Sequence, residues 1–206
     1  MQFFLLFLSC VERQSKENEI LIDTMVVVEL SKLEHLLHMR TDSVMEYYDL
    51  SHDSLTVMPD LSEYIIKSLD LSYNHIDTLP VSRLPKGLKS LNISHNALRG
   101  FLNIIREAET SLAIPILHTI DISNNFLTEV RLAMPSLKRV NISNNNIRYF
   151  EAGMTNYFYD YINMSNNPRL SNVALFKPSQ VDTIIHDGIR NDEPLIYYFD
   201  VPLIIP

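Results

Sequence analysis

Carboxylates and histidines recur along this chain in patterns that invite comparison with metal sites. Asp49, Asp53 and Asp60 stand at the first, fifth and twelfth positions of a calcium-loop pattern. However, Ser54 replaces the glycine at which that loop turns, and Asp60 replaces its bidentate glutamate. Four histidines lack the i, i+4 spacing of a metal site and are assigned to different, solvated turn positions: His52, His75, His95 and His118. We therefore predict no metal and no cofactor.

Catalysis would need a nucleophile with a base in hydrogen-bond reach and a third group that orients the base. Serines follow similar apolar segments all along the chain, whereas an active site singles out one position. The single cysteine, Cys10, allows neither an internal disulfide nor a zinc site built on thiolates. With only 4 glycines, phosphate-cradling loops are not expected either. The sequence therefore predicts a protein that is not an enzyme.

The charge of the chain argues against a nucleic-acid partner. Its 25 acidic and 17 basic side chains give a net charge of −8, which would repel a phosphate backbone. Acidic residues are in excess in residues 1–80, and the stretch from Arg83 to Arg148 is locally basic. A polarised surface of this kind can steer a protein partner.

The elements that must position these side chains are marked by a phrase that returns along most of the chain. Its leucines, serines and asparagines recur at fixed places within each copy. The four clearest copies are IKSLDLSYNHIDTLP (66–80), LKSLNISHNALRGFL (88–102), LHTIDISNNFLTEV from Leu117 and LKRVNISNNNIRYF from Leu137. Two weaker copies flank them, MEYYDLSHDSLTVMP from Met45 and YDYINMSNNPRL from Tyr159.

This phrase, LxxLxLSxNxLxxL, resembles the leucine-rich-repeat family over residues 44–170. Toll-type receptor ectodomains and small typical-type proteins of the family share it. The resemblance implies an α/β solenoid, a right-handed coil of about six repeats with a concave parallel sheet. Residues 11–43 are then the amino-terminal cap and residues 171–206 an irregular carboxyl-terminal cap or tail.

Alternation within each copy sends Leu69 and Leu71 to one side and Ser68, Asp70 and Ser72 to the other, as a half-buried strand requires. The same rule predicts two aliphatic columns through the coil. They are Leu69, Leu91, Ile120, Val140 and Ile162, and then Leu71, Ile93, Ile122, Ile142 and Met164.

The asparagine of each copy stands where the chain leaves the strand, and its amide can satisfy backbone groups that a dry interior would leave unpaired. The resemblance implies a buried structural ladder of Asn74, Asn96, Asn125, Asn145 and Asn167. Asp53 occupies the equivalent position in the first copy but lacks the donor, so we assign it to the edge of the array.

Three segments fall outside the regular phrase. Spacing widens to 29 residues between Asn96 and Asn125, and the inserted NIIREAETSLA predicts a helix with Ile104, Ile105, Ala108 and Leu112 on one face. The shorter unit after it has room only for a turn or a few extended residues. Met25–Leu30 predicts a strand followed by a short helical turn in LSKLEHLLHM, and the apolar final run PLIYYFDVPLIIP needs cover.

The outward side of the strands is the predicted partner-binding face, since tyrosine and arginine are frequent contact residues. Its candidate residues are Tyr47, Asp49, Asp70, Asp121, Arg139 and Tyr161. The phrase also generates N-x-S sequons, which predict N-glycosylation in a secreted chain at Asn92, Asn141 and Asn163.

Residues 1–10 read as a signal peptide because the apolar run Phe3–Leu8 ends at small residues; the alternative is a first element packed on the end of the domain. No other segment approaches the roughly 20 apolar residues of a transmembrane helix. The leading hypothesis is a secreted protein-binding module of the recognition or innate-immune type. The alternatives are a cytoplasmic regulatory scaffold that docks on an enzyme, and a fragment of a larger receptor.

Overall fold

The computed structural model describes residues 31–105, 116–134, 136–152, 158–175, 181–187 and 196–198. In this part of the chain, stacked parallel strands form a β-solenoid of about five turns. The segments expected to form the signal peptide and the Met25–Leu30 strand lie outside the described residues, as do Ala108, Leu112 and most of the final apolar run.

Two parallel sheets form the walls of the solenoid, and a two-stranded pair stands beside its first turn. The seven-stranded sheet consists, in spatial order, of β2 (Tyr48–Asp49), β4 (Ser68–Asp70), β5 (Ser90–Asn92), β7 (Thr119–Asp121), β9 (Arg139–Asn141), β11 (Tyr159–Asn163) and β13 (Val181–Ile185). The five-stranded sheet consists of β6 (Arg99–Ile105), β8 (Phe126–Ala133), β10 (Tyr149–Ala152), β12 (Asn172–Leu175) and β14 (Ile196–Tyr198). The pair is β1 (Val44–Met45) and β3 (Ile65–Ile66).

The two aliphatic columns predicted from the alternation are confirmed. Leu69, Leu91, Ile120, Val140 and Ile162 are direct partners in the parallel register of the seven-stranded sheet. Every member of both columns is at most 3% exposed. Because each fully buried aliphatic contributes about 1.5–3 kcal/mol, these columns are the main source of cohesion between turns.

The five-stranded sheet closes the other side of the core. Leu102, Val130, Phe150 and Val173 are paired in register across β6, β8, β10 and β12, and all four are buried. Side chains of both sheets thus meet in one continuous hydrophobic cluster. The core lies between two layers of strands.

The helix predicted in the insertion is wrong for Asn103, Ile104 and Ile105, which lie in β6. Leu102 and Ile104 are buried and alternate with the exposed Phe101 and Asn103, which is a strand pattern and not a helical face. Isoleucine and phenylalanine favour strands, and β8 offers β6 a hydrogen-bonding edge along its length. The following unit is extended as expected, although β8 is a full strand of 8 residues.

The predicted helical turn after Leu30 is confirmed as α1, Lys32–Leu37, the one α-helix within the described residues. Ser31 Oγ accepts the Glu34 N–H at 3.1 Å, and Glu34 Oε2 accepts the Ser31 N–H at 2.9 Å. This reciprocal capping box satisfies donors at the start of the helix. Leu36 is fully buried against the first turn.

Candidate partner-binding face

The outer face of the seven-stranded sheet, here called the broad face, carries two columns of polar side chains in register. The first column is Ser68, Ser90, Thr119, Arg139 and Tyr161. The second column is Asp49, Asp70, Asn92, Asp121, Asn141 and Asn163. Neighbouring strands lie about 4.8 Å apart, so each column presents its side chains at that interval.

The second column has a local structural role at the end of every strand. Each of its Asp or Asn side chains accepts the backbone N–H of the serine two residues later, at 2.8–3.3 Å. In this Asx turn, the side chain replaces a backbone acceptor as the chain leaves the strand. The repeated aspartates and asparagines are therefore explained first by the turn.

Two pairs in the second column are also joined between strands. Asn92 Nδ2 donates to Asp70 Oδ2 at 3.1 Å, and Asn141 Nδ2 donates to Asp121 Oδ2 at 2.9 Å. These nitrogens are the atoms to which N-linked glycans at Asn92 and Asn141 would be attached. A glycan there would have to share the nitrogen with this contact. Asn163, the third sequon, is half-buried on β11.

The ladder asparagines lie beneath the strand ends, each 4–8% exposed. Asn125 shows the pattern: its Nδ2 donates to the carbonyls of Ile93, Ile122 and Ser123, all at 3.1 Å, and its Oδ1 accepts the Leu98 N–H at 3.0 Å. Equivalent bonds are made by Asn74, Asn96, Asn145 and Asn167. Each amide therefore ties its own turn to the previous one.

Asp53 stands at the amino-terminal end of this ladder, against α1. Its carboxylate accepts the N–H groups of Lys32 and Leu33 at 3.1 and 2.9 Å. The start of a helix presents unpaired donors, so a carboxylate suits this place better than an amide. The Asp53 N–H in turn donates to Asn74 Oδ1 at 3.1 Å, which links the helix to the first turns.

Three of the predicted contact residues, Tyr47, Asp49 and Asp70, lie near one another at β2 and β4. Tyr47 is 57% exposed; its pKa is raised by desolvation and by the negative charges of Asp49 and Asp70. Lys32 Nζ donates to Asp49 Oδ2 at 2.9 Å. Desolvation raises the pKa of Asp49, but hydrogen bonds from Ser51 and Lys32 together outweigh it and lower that pKa.

Arg139 and Tyr161 form a separate pair on β9 and β11. The Arg139 guanidinium carbon lies 4.9 Å from the centre of the Tyr161 ring, a cation–π contact. Four strand intervals separate β2 from β9, which is about 19 Å at the usual spacing. Tyr47 and Arg139 therefore lie far apart on the broad face, with Asp121 on a strand between them.

A basic column that we did not predict precedes the strands. Lys67, Lys89, His118 and Lys138 occupy equivalent positions, each donating its backbone N–H to the carbonyl of the preceding turn. The sequence pattern that predicts this column is present in the phrase, because lysine or histidine follows the first apolar residue in four copies. Lys67 pairs with Glu46 at 2.5 Å, and Lys138 Nζ donates to the Phe158 carbonyl at 2.8 Å.

The assignment of the histidines to different turn positions is wrong for His52 and His95. Both precede the ladder position of their copy, as Tyr73 does in the copy between them. Their rings stack on Tyr73 with centroid distances of 4.5 and 4.1 Å and interplanar angles of 9° and 8°. In the described residues, no group of three or more His, Cys, Asp and Glu side chains could hold a metal ion.

Comparisons with protein-family models, with curated proteins and with solved structures found no match to this chain. The chain is a parallel-sheet solenoid whose turns are joined by buried aliphatic columns and an asparagine ladder. Within the described part of the chain, no helix has the length and apolar character needed to cross a lipid bilayer.

Proposed function

We propose that this chain is a protein-binding module and that the broad face is its contact surface. The observation that carries the proposal is the in-register first column, whose side chains make no contribution to the core. Arg139 and Tyr161 are the types of side chain that dominate contact energies at interfaces. Solenoids commonly use such extended surfaces for binding.

We further propose that the solenoid is of the leucine-rich-repeat type, a right-handed coil with the broad face on its concave side. The recurring phrase, the aliphatic columns and the ladder support this assignment. Strands instead of helices on the opposite wall fit the short spacing of most copies, such as the 20 residues from Asn125 to Asn145.

We also propose that the protein lies outside the cell, as a glycosylated recognition module of the innate-immune type without catalytic activity. The apolar amino terminus and the three sequons support this location. A cytoplasmic scaffold that docks on an enzyme, or a receptor fragment, is the competing proposal. Amino-terminal sequencing of the natural protein, with its mass before and after glycosidase treatment, separates them: a start near Val11 with a glycan excludes the cytoplasmic scaffold.

Site-specific photo-crosslinking tests the contact surface. A photoreactive amino acid replaces Ser90 or Thr119 on the broad face, and a matched one replaces Asn103 on the outer side of the five-stranded sheet. The first two are expected to capture a partner identifiable by mass spectrometry, and the third is not. Crosslinking only from Asn103 would contradict the proposal.

The energetic test uses two arginines on opposite walls. With the purified partner, Arg139→Ala is expected to raise Kd about tenfold, a loss of about 1.4 kcal/mol. Arg99→Ala removes an exposed arginine from β6 and serves as the control. Equal Kd values for the two variants would argue against the broad face.

A further inference from the structure

The His52, Tyr73 and His95 side chains, here called the aromatic stack, form a row along one edge of the broad face. The three rings lie nearly parallel on consecutive turns. All three residues are exposed, Tyr73 by 50%. Rings held in this way lose little conformational freedom when a partner covers them, which favours binding.

The solenoid does not need aromatic residues at these positions. All three have left-handed backbone conformations, with φ between 54° and 55°. The same position in the next three turns is occupied by Asn124, Asn144 and Asn166, with the same φ. Asparagine is the non-glycine residue that best tolerates this conformation. The fold alone therefore favours asparagine throughout, and the first three turns depart from it.

The charge beside the aromatic stack is negative. Asp70 precedes Tyr73 by three residues, and its carboxylate accepts one N–H from Ser72 at 2.8 Å and one from Asn92 at 3.1 Å. A carboxylate has about four acceptor positions, so two remain. Among the described residues, neither Asp70 nor Asp121 forms an ion pair, whereas Asp49 is paired with Lys32.

We propose that the aromatic stack and Asp70, extended by Asp121, form a docking site for an extended segment of a protein partner that carries lysine or arginine. This inference rests on the proposed function and names the chemistry of the partner. The methylene stems of basic side chains pack well against apolar ring surfaces while their charged heads bond to carboxylates. An acidic segment would instead meet the charges of Asp49 and Asp70.

The spacing of the carboxylates defines the segment further. Asp70 and Asp121 lie two strand intervals apart, about 10 Å at the usual spacing. A segment in the extended polyproline II conformation rises about 3.1 Å per residue and has three residues per turn, so basic residues three positions apart lie on one face, about 9 Å apart, and reach both carboxylates. Such a segment runs across the strands, in the same direction as the aromatic stack.

A defined peptide tests the site. The probe is a fluorescent twelve-residue peptide with arginine at every third position among glycine and serine, and the matched peptide carries glutamate instead of arginine. Fluorescence anisotropy with the full chain measures Kd. We expect binding of the arginine peptide only, and we expect it to weaken as salt rises because salt screens the attraction between arginine and carboxylate.

Four variants locate the binding. Tyr73→Asn and Asp70→Asn introduce the residue that other turns carry at the same positions, so the fold is retained; each is expected to raise Kd about tenfold. His75→Asn and Asp77→Asn alter exposed neighbours outside both columns and are expected to leave Kd within about twofold. Circular dichroism and thermal unfolding verify that all four are folded.

The outcomes separate this inference from the proposed function. Equal Kd values for Tyr73→Asn and His75→Asn would overturn the docking site. The docking site would also be overturned if the wild-type chain did not bind the arginine peptide while photoreactive residues at positions 90 and 119 still crosslinked a partner. In that case the proposed function would stand. Loss of both the crosslinks and the peptide overturns both.

Discussion

Two adjacent asparagines, Asn144 and Asn145, give the sharpest test of the ladder. Asn145 is 7% exposed and lies inside the solenoid. Asn144 is exposed, with φ at 55°. Replacing either one by aspartate changes the same atoms by the same amount, so the two variants differ only in their surroundings. We predict that Asn145→Asp destabilises the fold strongly and Asn144→Asp hardly at all.

The magnitude follows from the hydrogen bonds of Asn145. Its Nδ2 donates to the carbonyls of Ile122 at 3.0 Å and of Ile142 and Ser143 at 3.2 Å. Aspartate lacks those two hydrogens, so the three carbonyls face a carboxylate oxygen. Each carbonyl keeps a second donor, which is Asn125 Nδ2 for Ile122, Asn167 Nδ2 for Ile142 and the Asn124 N–H for Ser143. The carboxylate oxygen that replaces Nδ2 is surrounded by acceptors. An unsatisfied buried group costs about 1–3 kcal/mol, and more when it is charged, so we expect a loss of at least about 2 kcal/mol. Domains are stable by only about 5–15 kcal/mol.

At Asn144 the side-chain nitrogen makes only a 3.5 Å contact with Ser143 Oγ. Aspartate also tolerates the left-handed conformation, so the expected change is within about 0.5 kcal/mol. Equilibrium urea unfolding followed by circular dichroism measures both variants against the wild type. The Asn145→Asp penalty should shrink from pH 7 to pH 4, because a protonated carboxyl regains one donor. Similar losses for both variants would refute the ladder as the tie between turns.

Four further variants are tested by the same unfolding measurement. Asp53→Asn puts a donor against the amides of α1 and should cost about 1 kcal/mol; an unchanged midpoint would contradict its role as a helix cap. Ile122→Ala should cost about 2–5 kcal/mol, whereas Phe126→Ala, at a side chain 61% exposed, should cost less than about 1 kcal/mol. Asp49 has a pKa lowered from 3.8, so its contribution is present above that value and is lost as the pH falls through the folded-state pKa. Asp49→Asn should therefore lose less stability than the wild type between about pH 5 and about pH 2, and equal acid sensitivity would count against this contribution.

The features that sequence alone could predict depend on short-range patterns. Alternation places Leu69 and Leu71 in the core whatever the neighbouring turns do. The capping box of Ser31 and Glu34 likewise marks the start of α1 within four residues. Both features follow from the chemistry of adjacent residues.

The helix prediction for the insertion was wrong because the apolar residues there fit both the helical period and the strand period. Ile104, Ile105, Ala108 and Leu112 suit one helical face, while Leu102 and Ile104 suit a strand buried on one side. The strand conformation is stabilised by an element that is distant in sequence, since β8 pairs with all of β6 from Arg99 to Ile105. A periodicity reading of the segment alone contains no information about that partner.

The candidate site was only partly predictable because the phrase mixes positions fixed by the fold with positions free to vary. The Asx turns require an oxygen acceptor at residues such as Asp70 and Asn92, but either Asp or Asn provides it. The choice between them therefore sets the charge of the broad face without altering the turn. Two other sets of positions are still less constrained. The first column contains serine, threonine, arginine and tyrosine. The left-handed position before each ladder residue contains histidine, tyrosine or asparagine. Under the proposed function, these positions determine which partner is bound. They place aromatic rings on the turns that follow β2, β4 and β5, and the Arg139–Tyr161 pair on β9 and β11.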